Sequence, residues 1–418
     1  MGCWRGRGSG VDLRASLANN PRTRHTSRLM KVVGLFAGIG GLELGLKQAG
    51  HEAILFSEFW EPAAAVLKAR FPGIDNVGDV ASLKRLPPET ELLAGGFPCQ
   101  DLSQAGKTLG IGGSRSGLVG HVFRLLDRKR VPWVLLENVS FMLHLDRGRA
   151  MHQLVEAFEE RGYRWAYRVV NSLGFLPQRR ERVIFLASRV GDPRDVLFVD
   201  EAYPRSEATS LNTHAHGFYW TEGIRGLGWA PDAVPTLKNG STLGIASPPA
   251  IMLPEGPIVK PDIRDAERLQ GFPVNWTQPA ETVRKPSWRW SLVGNAVSVP
   301  VAGWVGARLT TPGKYDVARS STALADGDRW PRAAFWDGQC RSSVVISDYP
   351  EWRDRLPLHQ FLQFPADLLS ARATSGFLER TGRGSLRFVP GFRERVSAHL
   401  SRMQGFGAAD RNSLAAAE

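Results

Sequence analysis

Apolar runs and helical spacings alternate along residues 31–190. Lys31–Phe36 is an apolar run bounded by glycine, which predicts a buried strand, and the leucines of Gly40–Ala49 have helical spacing. Further strands are predicted at Ala53–Ser57, Glu91–Ala94, Trp133–Leu136, Arg164–Asn171 and Arg182–Ala187, and helices at Trp60–Phe71, Leu118–Asp127 and Ala150–Glu160. This alternation predicts an α/β fold with a doubly wound, mostly parallel sheet.

The pattern changes beyond about Asp192. Gly, Pro, Ser and Thr become frequent and apolar runs are short through Ile258, which predicts a smaller, irregular, β-rich module. Helical character returns at 262–272. We therefore divide the chain into a lead over 1–29, a domain over 30–190 that is completed by 286–309, a second domain over 191–285, and a C-terminal extension over 310–418.

Charge and cysteine content narrow the class of protein. Lys and Arg number 53 against 41 Asp and Glu, a net charge of +12, which is typical of proteins that meet a polyanion. Six arginines and one acidic residue fall in the lead, which predicts a disordered basic extension. Neither a membrane span nor a signal peptide is indicated, and three scattered cysteines predict no disulfide framework or metal site.

A glycine-rich turn follows the first strand and indicates a nucleoside cofactor. The turn Phe36–Gly41 would expose backbone N–H groups, but Glu43 replaces the third glycine of the dinucleotide pattern. Glu58 ends the second strand, where a carboxylate binds ribose hydroxyls, and Phe59 beside it could stack on a purine. Asp79 could accept a hydrogen bond from an adenine amino group. Together these residues favour S-adenosylmethionine over NAD.

The segment Gly95–Gln100 places Cys99 in a glycine- and proline-containing loop directly after a strand. Open α/β sheets keep their ligands at this edge, so Cys99 is a candidate thiolate nucleophile. A buried, inert cysteine is the alternative. The following stretch, Ser103–Gly117, is rich in Gly and Ser and predicts a mobile lid.

Two further polar segments are placed for catalysis. Glu137 ends an apolar strand and could act as an acid, although a helix-initiating role is the alternative. Arg180 lies just before the strand that begins at Arg182, and alternation would put both on one face, where they could meet a phosphate or a carbonyl. A solvated strand edge would look the same.

The order of these motifs resembles that of the prokaryotic DNA cytosine-C5 methyltransferases. The matching segments are Phe36–Gly41, Gly96–Gln100, Glu137–Val139, Gln178–Arg182, Arg268–Pro273 and Gly294–Val297. The match extends from Lys31 to Leu309, about two thirds of the chain. The resemblance implies a Rossmann-like methyltransferase sheet and a target-recognition domain over 191–285.

The resemblance also implies roles for individual residues. Cys99 would be the nucleophile, and Glu137, Arg180 and Arg182 would surround a flipped cytosine. The cofactor-binding positions would be Phe36, Gly38, Gly40, Glu58, Phe59, Asp79, Val80, Pro98, Leu118, Asn295 and Val297. The DNA-binding positions would be Gln100, Ser103, Lys107, Arg115, Thr236 and Leu237. The implied reaction transfers a methyl group from S-adenosylmethionine, leaving S-adenosylhomocysteine, to C5 of cytosine in a short double-stranded DNA sequence.

Two departures from the family pattern stand out. Asp265 replaces a glutamate that is common in the ninth motif, for which we expect altered packing without loss of activity. The extension over 310–418 has no counterpart in the minimal family and could cap the fold or add DNA contacts.

Rival functions differ in substrate or class. A tRNA cytosine-C5 methyltransferase usually carries a Cys-Phe-Thr tripeptide that is missing here. A non-catalytic DNA-binding relative would not need Cys99, Glu137 and Arg182 together, and the glycine pattern disfavours an NAD oxidoreductase. We expect a monomeric, cytoplasmic, nucleoid-associated prokaryotic enzyme of a restriction-modification or related defence system, with a cognate restriction endonuclease as possible partner.

Overall fold

The computed structural model describes residues 29–97, 117–207, 210–240, 246–254, 256–325 and 327–415. Up to residue 197 the strands are β1 (Lys31–Leu35), β2 (Glu52–Ser57), β3 (Leu92–Gly96), β4 (Trp133–Val139), β5 (Arg164–Asn171), β6 (Gln178–Arg179) and β7 (Glu181–Ser188). The helices are α1 (Gly41–Gln48), α2 (Glu61–Arg70), α3 (Leu118–Arg128), α4 (Arg149–Glu160) and α5 (Arg194–Leu197). The elements predicted over 31–190 are confirmed, each end lying within three residues of its predicted position.

Shorter elements make up the rest of the described chain. The strands are β8 (His216–Phe218), β9 (Ala230–Pro231), β10 (Val234–Pro235), β11 (Ala250–Met252), β12 (Ile258–Lys260), β13 (Ser320–Ala323), β14 (Ala333–Trp336), β15 (Arg341–Val344) and β16 (Asp367–Leu368). The helices are α6 (Ile263–Leu269), α7 (Trp288–Asn295), α8 (Val299–Thr310), α9 (Leu358–Phe361), α10 (Ala371–Arg383) and α11 (Phe392–Ala415). No helix in the described ranges is both long and apolar enough for a membrane crossing.

The main sheet has the order β13-β15-β14-β5-β7-β4-β3-β1-β2. Strands β2, β1, β3 and β4 pair in parallel, whereas β7 lies antiparallel between β4 and β5. Only residues 172–180 separate β5 from its neighbour β7, which is too short for the helical crossover that a parallel neighbour requires. The α/β class and the mostly parallel direction of β1 to β5 are therefore confirmed, with one antiparallel insertion.

Helices cover both faces of the main sheet. Because side chains alternate along a strand, Val32 of β1 packs with Leu46 of α1 and Val301 of α8 on one face. Val33 packs on the other face, in the cluster that holds the apolar sides of α3 and α4. This double layer fixes the strand ends, where the chemistry predicted from the sequence is concentrated.

A second, antiparallel sheet has the order β16-β12-β11-β8-β9. Its strands β8, β9, β11 and β12 come from the predicted second domain, but β16 comes from the C-terminal extension. Helices α10 and α11 pack on the same sheet, since Phe377 and Phe392 join Phe218 in one buried cluster. Strands β13 to β15 instead extend the main sheet beside β5. Residues 310–418 are thus divided between the two sheets.

Asp265 joins the ninth motif to the C-terminal segment. Its carboxylate is buried, forms an ion pair of 2.7 Å with Arg268 and accepts hydrogen bonds from the backbone N–H groups of Gln363 and Phe364. Aspartate has a shorter side chain than glutamate, which leaves room for this backbone to approach. This position of the ninth motif is therefore in contact with the extension.

Candidate active site

A cavity of about 630 Å³ opens at the carboxyl ends of β1 to β4. This is the edge at which open α/β sheets bind ligands, and the volume suits a nucleoside-sized molecule. Most described residues predicted to bind cofactor or surround the base line it, namely Phe36, Gly38, Glu58, Phe59, Asp79, Val80, Leu118, Glu137, Arg180, Arg182, Asn295 and Val297. The structure therefore brings two predicted groups into one cavity.

The glycine turn and Glu58 form one end of the cavity. The Glu58 carboxylate accepts hydrogen bonds from the backbone N–H groups of Gly38, at 2.8 Å, and Trp60, at 2.7 Å. Gly38 has φ +56° and a Cβ there would meet no atom within 4 Å, so glycine serves the backbone conformation and leaves the turn open. Burial raises the pKa of the Glu58 carboxyl, and its backbone hydrogen bonds oppose that rise.

Asn76 holds Glu58 in place and was missed by the sequence analysis. Its side-chain amide donates to the carbonyl oxygen of Glu58, and its side-chain oxygen accepts from the backbone N–H groups of Glu58 and Gly78. The spacing Asn-x-Gly after a Pro-Gly turn is the signal that could have pointed to it.

Two predicted cofactor residues near Asn76 lie on the rim of the cavity. Phe59 is 73% exposed, so its ring is available for stacking on a purine. Asp79 is also exposed, and one of its carboxylate oxygens accepts from the backbone N–H of Ala81 at 2.9 Å. Both are compatible with the predicted recognition of an adenosine.

Gly40 does not line the cavity, unlike the other described residues predicted for the cofactor. It has φ +80°, and a Cβ at this position would collide with the ring of Phe71 at the end of α2. The glycine is needed for the close approach of the turn to α2. Its role in cofactor binding stays a prediction.

Glu137 and Arg182 form an ion pair at the other end of the cavity. The Nε of Arg182 lies 3.0 Å from Oε1 of Glu137, and their side chains are only 15% and 9% exposed. Val139 of β4 is directly opposite Arg182 of β7, so the antiparallel register puts Glu137 and Arg182 on the same face as diagonal neighbours. The pair presents a carboxylate and a guanidinium to one small volume.

Asn138 links this pair to the loop that carries the candidate nucleophile. Its side-chain amide donates to the carbonyl oxygen of Phe97 at 3.0 Å, and both residues are buried. Phe97 precedes Cys99 by two residues. Cys99 itself, Pro98 and the predicted DNA-binding residues Gln100, Ser103, Lys107 and Arg115 lie outside the described residues.

Arg180, for which a phosphate or a carbonyl was predicted as partner, is buried among backbone carbonyl groups. It is 2% exposed, and its guanidinium donates to the carbonyl oxygens of Leu237, Gly294 and Ala296. Burial lowers the pKa of its guanidinium, and the nearby Arg182 lowers it further. Because its terminal nitrogens bind carbonyls, Arg180 ties the residue before Asn295 to the segment around Leu237.

Leu237 and Thr236 also differ from each other in accessibility. The Leu237 side chain is 2% exposed and packs in the apolar cluster with Val293, so it is not available to DNA and its predicted contact is corrected to a core role. Thr236 lies beside a groove that it shares with Arg182, and its hydroxyl donates to the carbonyl of Arg179 at 2.9 Å.

Comparisons with known proteins decide the family. Residues 30–213 match the family model of the C-5 cytosine-specific DNA methylases. Over 371 residues the chain is 48% identical to the type II methyltransferase M2.BsuMI of Bacillus subtilis (strain 168), which covers 85% of this chain and 94% of that protein. The chain belongs to this methylase family. The type II methyltransferase M.NgoBI of Neisseria gonorrhoeae is 30% identical over 301 residues, or 65% of this chain and 90% of that protein.

Membership confirms the resemblance drawn from the motifs. The chain is a DNA cytosine methyltransferase, and the matched segment 30–213 contains the glycine turn, Glu58 and the Glu137–Arg182 pair. The roles of the individual residues remain predictions, which the geometry of the cavity supports to different degrees.

Proposed function

We propose that this methylase transfers a methyl group from S-adenosylmethionine to C5 of a flipped cytosine in a short, specific sequence of double-stranded DNA, through a covalent bond to Cys99. The observation that carries the proposal is the continuity of one cavity. Glu58 and the glycine turn line one end, and the Glu137–Arg182 pair lines the other. A cofactor and a base bound there would meet inside the cavity.

The residues present fit S-adenosylmethionine. The Glu58 carboxylate is fixed by two backbone N–H groups and keeps further lone pairs for ribose hydroxyls. Phe59 offers an exposed ring for adenine, and Asp79 keeps one carboxylate oxygen for an amino group. Gly96 lies beside Glu137 and Val297 at the inner end, where its small size leaves room for the reacting groups.

The chemistry divides between Cys99 and the Glu137–Arg182 pair. The Cys99 thiolate adds to C6 of cytosine, and the electron pair of the C5–C6 double bond makes C5 nucleophilic. The Glu137 carboxyl group, in its protonated form, stabilises this change by donating a hydrogen bond to N3, and Arg182 donates to the carbonyl oxygen of the base. S-adenosylmethionine, when bound, supplies the electrophilic methyl group. Loss of the C5 proton to a base and breakage of the C6–sulfur bond then restore the aromatic ring and release Cys99.

Base flipping is required because the Glu137–Arg182 pair lies inside the cavity. Glu137 is 7% exposed and lies inside the cavity, so a cytosine stacked in a duplex cannot reach it. The enzyme must therefore take the base out of the helix. The lid that follows Cys99 in the sequence is our candidate for closure over the extruded base.

The biological setting is part of the proposal. Both relatives named above are type II methyltransferases, which supports a restriction-modification system with a cognate endonuclease acting on the same site. We expect a monomer that acts on nucleoid DNA in the cytoplasm, because one flipped base requires only one such cavity.

The test is base-resolution sequencing of 5-methylcytosine in DNA from a methylation-free bacterial host that expresses the chain. We expect methylation at one short motif, its loss with Cys99→Ser, and its retention with Cys340→Ser, a matched change in the turn before β15. Methylation that persists with Cys99→Ser would remove Cys99 from the mechanism. Absence of methylation with the folded, cofactor-bound protein would favour an RNA substrate.

A further inference from the structure

A loop of the second sheet, residues 220–226, projects beside the catalytic cavity. The loop is closed at its base by a hydrogen bond from the backbone N–H of Tyr219 to the carbonyl of Leu227, at 2.7 Å. A second bond, from Gly223 N–H to the Gly226 carbonyl at 2.8 Å, closes the tip. We call this segment the tip loop.

The tip loop shares its grooves with catalytic residues. Trp220 and Thr221 line a groove that also contains Arg182 and Asn295. Glu222 lines a second groove, which again contains Arg182. A duplex that delivers a base to the Glu137–Arg182 pair must therefore pass along the tip loop.

The C-terminal extension contacts the backbone of the tip loop through α10. Arg380 of α10 donates to the carbonyl oxygens of Trp220, at 2.6 Å, and Glu222, at 3.2 Å. Gly223 has φ +122°, and a Cβ there would lie 3.1 Å from Thr381. A Cβ on Gly384, just after α10, would lie 2.9 Å from the carbonyl oxygens of Gly223 and Ile224. The backbone of the loop is thus packed directly against the end of α10.

We infer that the tip loop contacts the bases of the target sequence and that Arg380 is the positioning residue that sets its conformation. This inference rests on the proposed function. Thr221, Ile224 and Arg225 are exposed on the loop and offer a hydroxyl, an apolar side chain and a guanidinium, the groups that recognise base edges in a DNA groove. Because Arg380 binds backbone carbonyls, it fixes where these side chains point.

The charge of the surrounding helices matches a DNA partner. Residues 371–404 contain seven arginines and two glutamates. Arg372, Arg387 and Arg393 are exposed on or beside α10 and α11. Phosphate contacts from such residues would orient the duplex but carry no sequence information. The extension would then supply both the support of the tip loop and part of the DNA-facing charge.

The experiment compares Arg380→Gln with Arg380→Lys, Arg225→Gln and the control Arg372→Gln, an exposed arginine of the same helix. After the target has been identified with the unaltered chain, kcat and KM are measured on target duplexes and on duplexes with single base-pair substitutions. For Arg380→Gln we expect an about tenfold higher KM for target DNA and an about tenfold lower discrimination, since two hydrogen bonds are lost. Cofactor affinity, kcat at saturating DNA and the melting temperature should stay near those of the unaltered chain.

The other variants distinguish an effect on the conformation of the tip loop from a general loss of stability or activity. Arg225→Gln should lower discrimination without a change in melting temperature, and Arg380→Lys should restore part of it. Arg372→Gln should keep the discrimination ratio, whatever its effect on overall affinity. Unaltered discrimination in both Arg380→Gln and Arg225→Gln would overturn the inference, as would an equal fall in cofactor affinity and kcat. If the unaltered chain methylates no DNA, the proposed function fails first.

Discussion

At the residue scale, two buried carboxyl groups have different roles, one in ligand binding and one in the pH dependence of stability. Glu58 and Glu43 are both buried near the glycine turn, but their surroundings differ. Glu58 accepts two backbone hydrogen bonds and faces the cavity. Glu43 of α1 is 1% exposed, lies over Gly34 of β1, and neither carboxyl oxygen has a hydrogen-bond partner among the described residues. The first is suited to binding, and the second to proton-linked stability.

Replacing Glu58 tests the cofactor end of the cavity. Glu58→Ala should weaken binding of S-adenosylmethionine by at least about tenfold, because charged hydrogen bonds to the ribose are lost. Isothermal titration calorimetry measures this directly, with the exposed Glu89→Ala as control. An affinity equal to that of the control would defeat the assignment.

Glu43 makes the free energy of unfolding depend on pH. Burial raises the pKa of its carboxyl from 4.5 to about 8, so between these values the folded chain binds more protons than the unfolded chain. The free energy of unfolding should therefore fall as pH rises through this window. Glu43→Gln should remove a dependence on the order of 4 kcal/mol between pH 5 and 8.

Urea unfolding across this pH range measures the effect of Glu43→Gln. The matched control is Glu156→Gln, an exposed glutamate on α4. Parallel curves for Glu43→Gln and the unaltered chain would show that Glu43 does not carry the dependence.

At the scale of elements, the sequence predicts the helices and strands that are identified by their own residues. It does not predict features that depend on contacts with distant strands. β1 to β5 and α1 to α4 are predicted because the apolar run or helical spacing that identifies each one lies within the element itself. The short connection after β5 requires the antiparallel direction of β7, but no local pattern encodes its position between β4 and β5. Strands β13 and β15 are short and rich in Ser, so they lack the apolar alternation of a strand, and their place in the main sheet was not predicted.

The candidate site shows the same division. The residues that face the cavity follow strand ends, so the topology rule locates them from sequence. Gly40 and Leu237 satisfy the same motifs but face the interior, because their positions depend on packing against α2 and the second sheet. Arg180 lines the cavity, but its guanidinium binds backbone carbonyls at the end of α7. A motif identifies such residues but does not show whether they contact a ligand or pack within the protein.

Asp265 offers a test of the contact between α6 and the C-terminal segment. Asp265→Asn removes the buried charge that pairs with Arg268 and accepts from Gln363 and Phe364, so stability should fall by about 3 kcal/mol. Thermal unfolding measures this, with Asp367→Asn, on the exposed strand β16, as control. Methylation at a temperature where the variant is folded should be retained. Equal melting temperatures for the two variants would contradict the role of Asp265.

At the scale of the whole molecule, a large part of the net positive charge lies outside the described residues. Six arginines and Asp12 fall within residues 1–28, so about +5 of the net +12 precedes the described chain. Near the start of the described residues, Met30 is buried and donates its backbone N–H to the His51 ring at 3.1 Å. β1 follows immediately.

Removal of residues 1–28 should therefore leave methylation at saturating DNA and the melting temperature unchanged. Removal of residues 1–30 should lower the melting temperature, because it deletes the Met30 side chain and its bond to His51. Activity assays and thermal unfolding of both shortened chains check this. A loss of methylation on removing 1–28 would assign the lead a role in catalysis or DNA binding.

The division of residues 310–418 between the two sheets has a consequence for engineered chimeras. Transplanting only 191–285 from a relative would separate Phe218 from Phe377 and Phe392, and would leave Arg380 facing an unrelated backbone. A functional hybrid would need to import two stretches, from β8 to β12 and from β16 to α11, while keeping β13 to β15 with the recipient. A change of target sequence by recombination between such enzymes would then require both stretches to be exchanged together, although they are separated in the sequence.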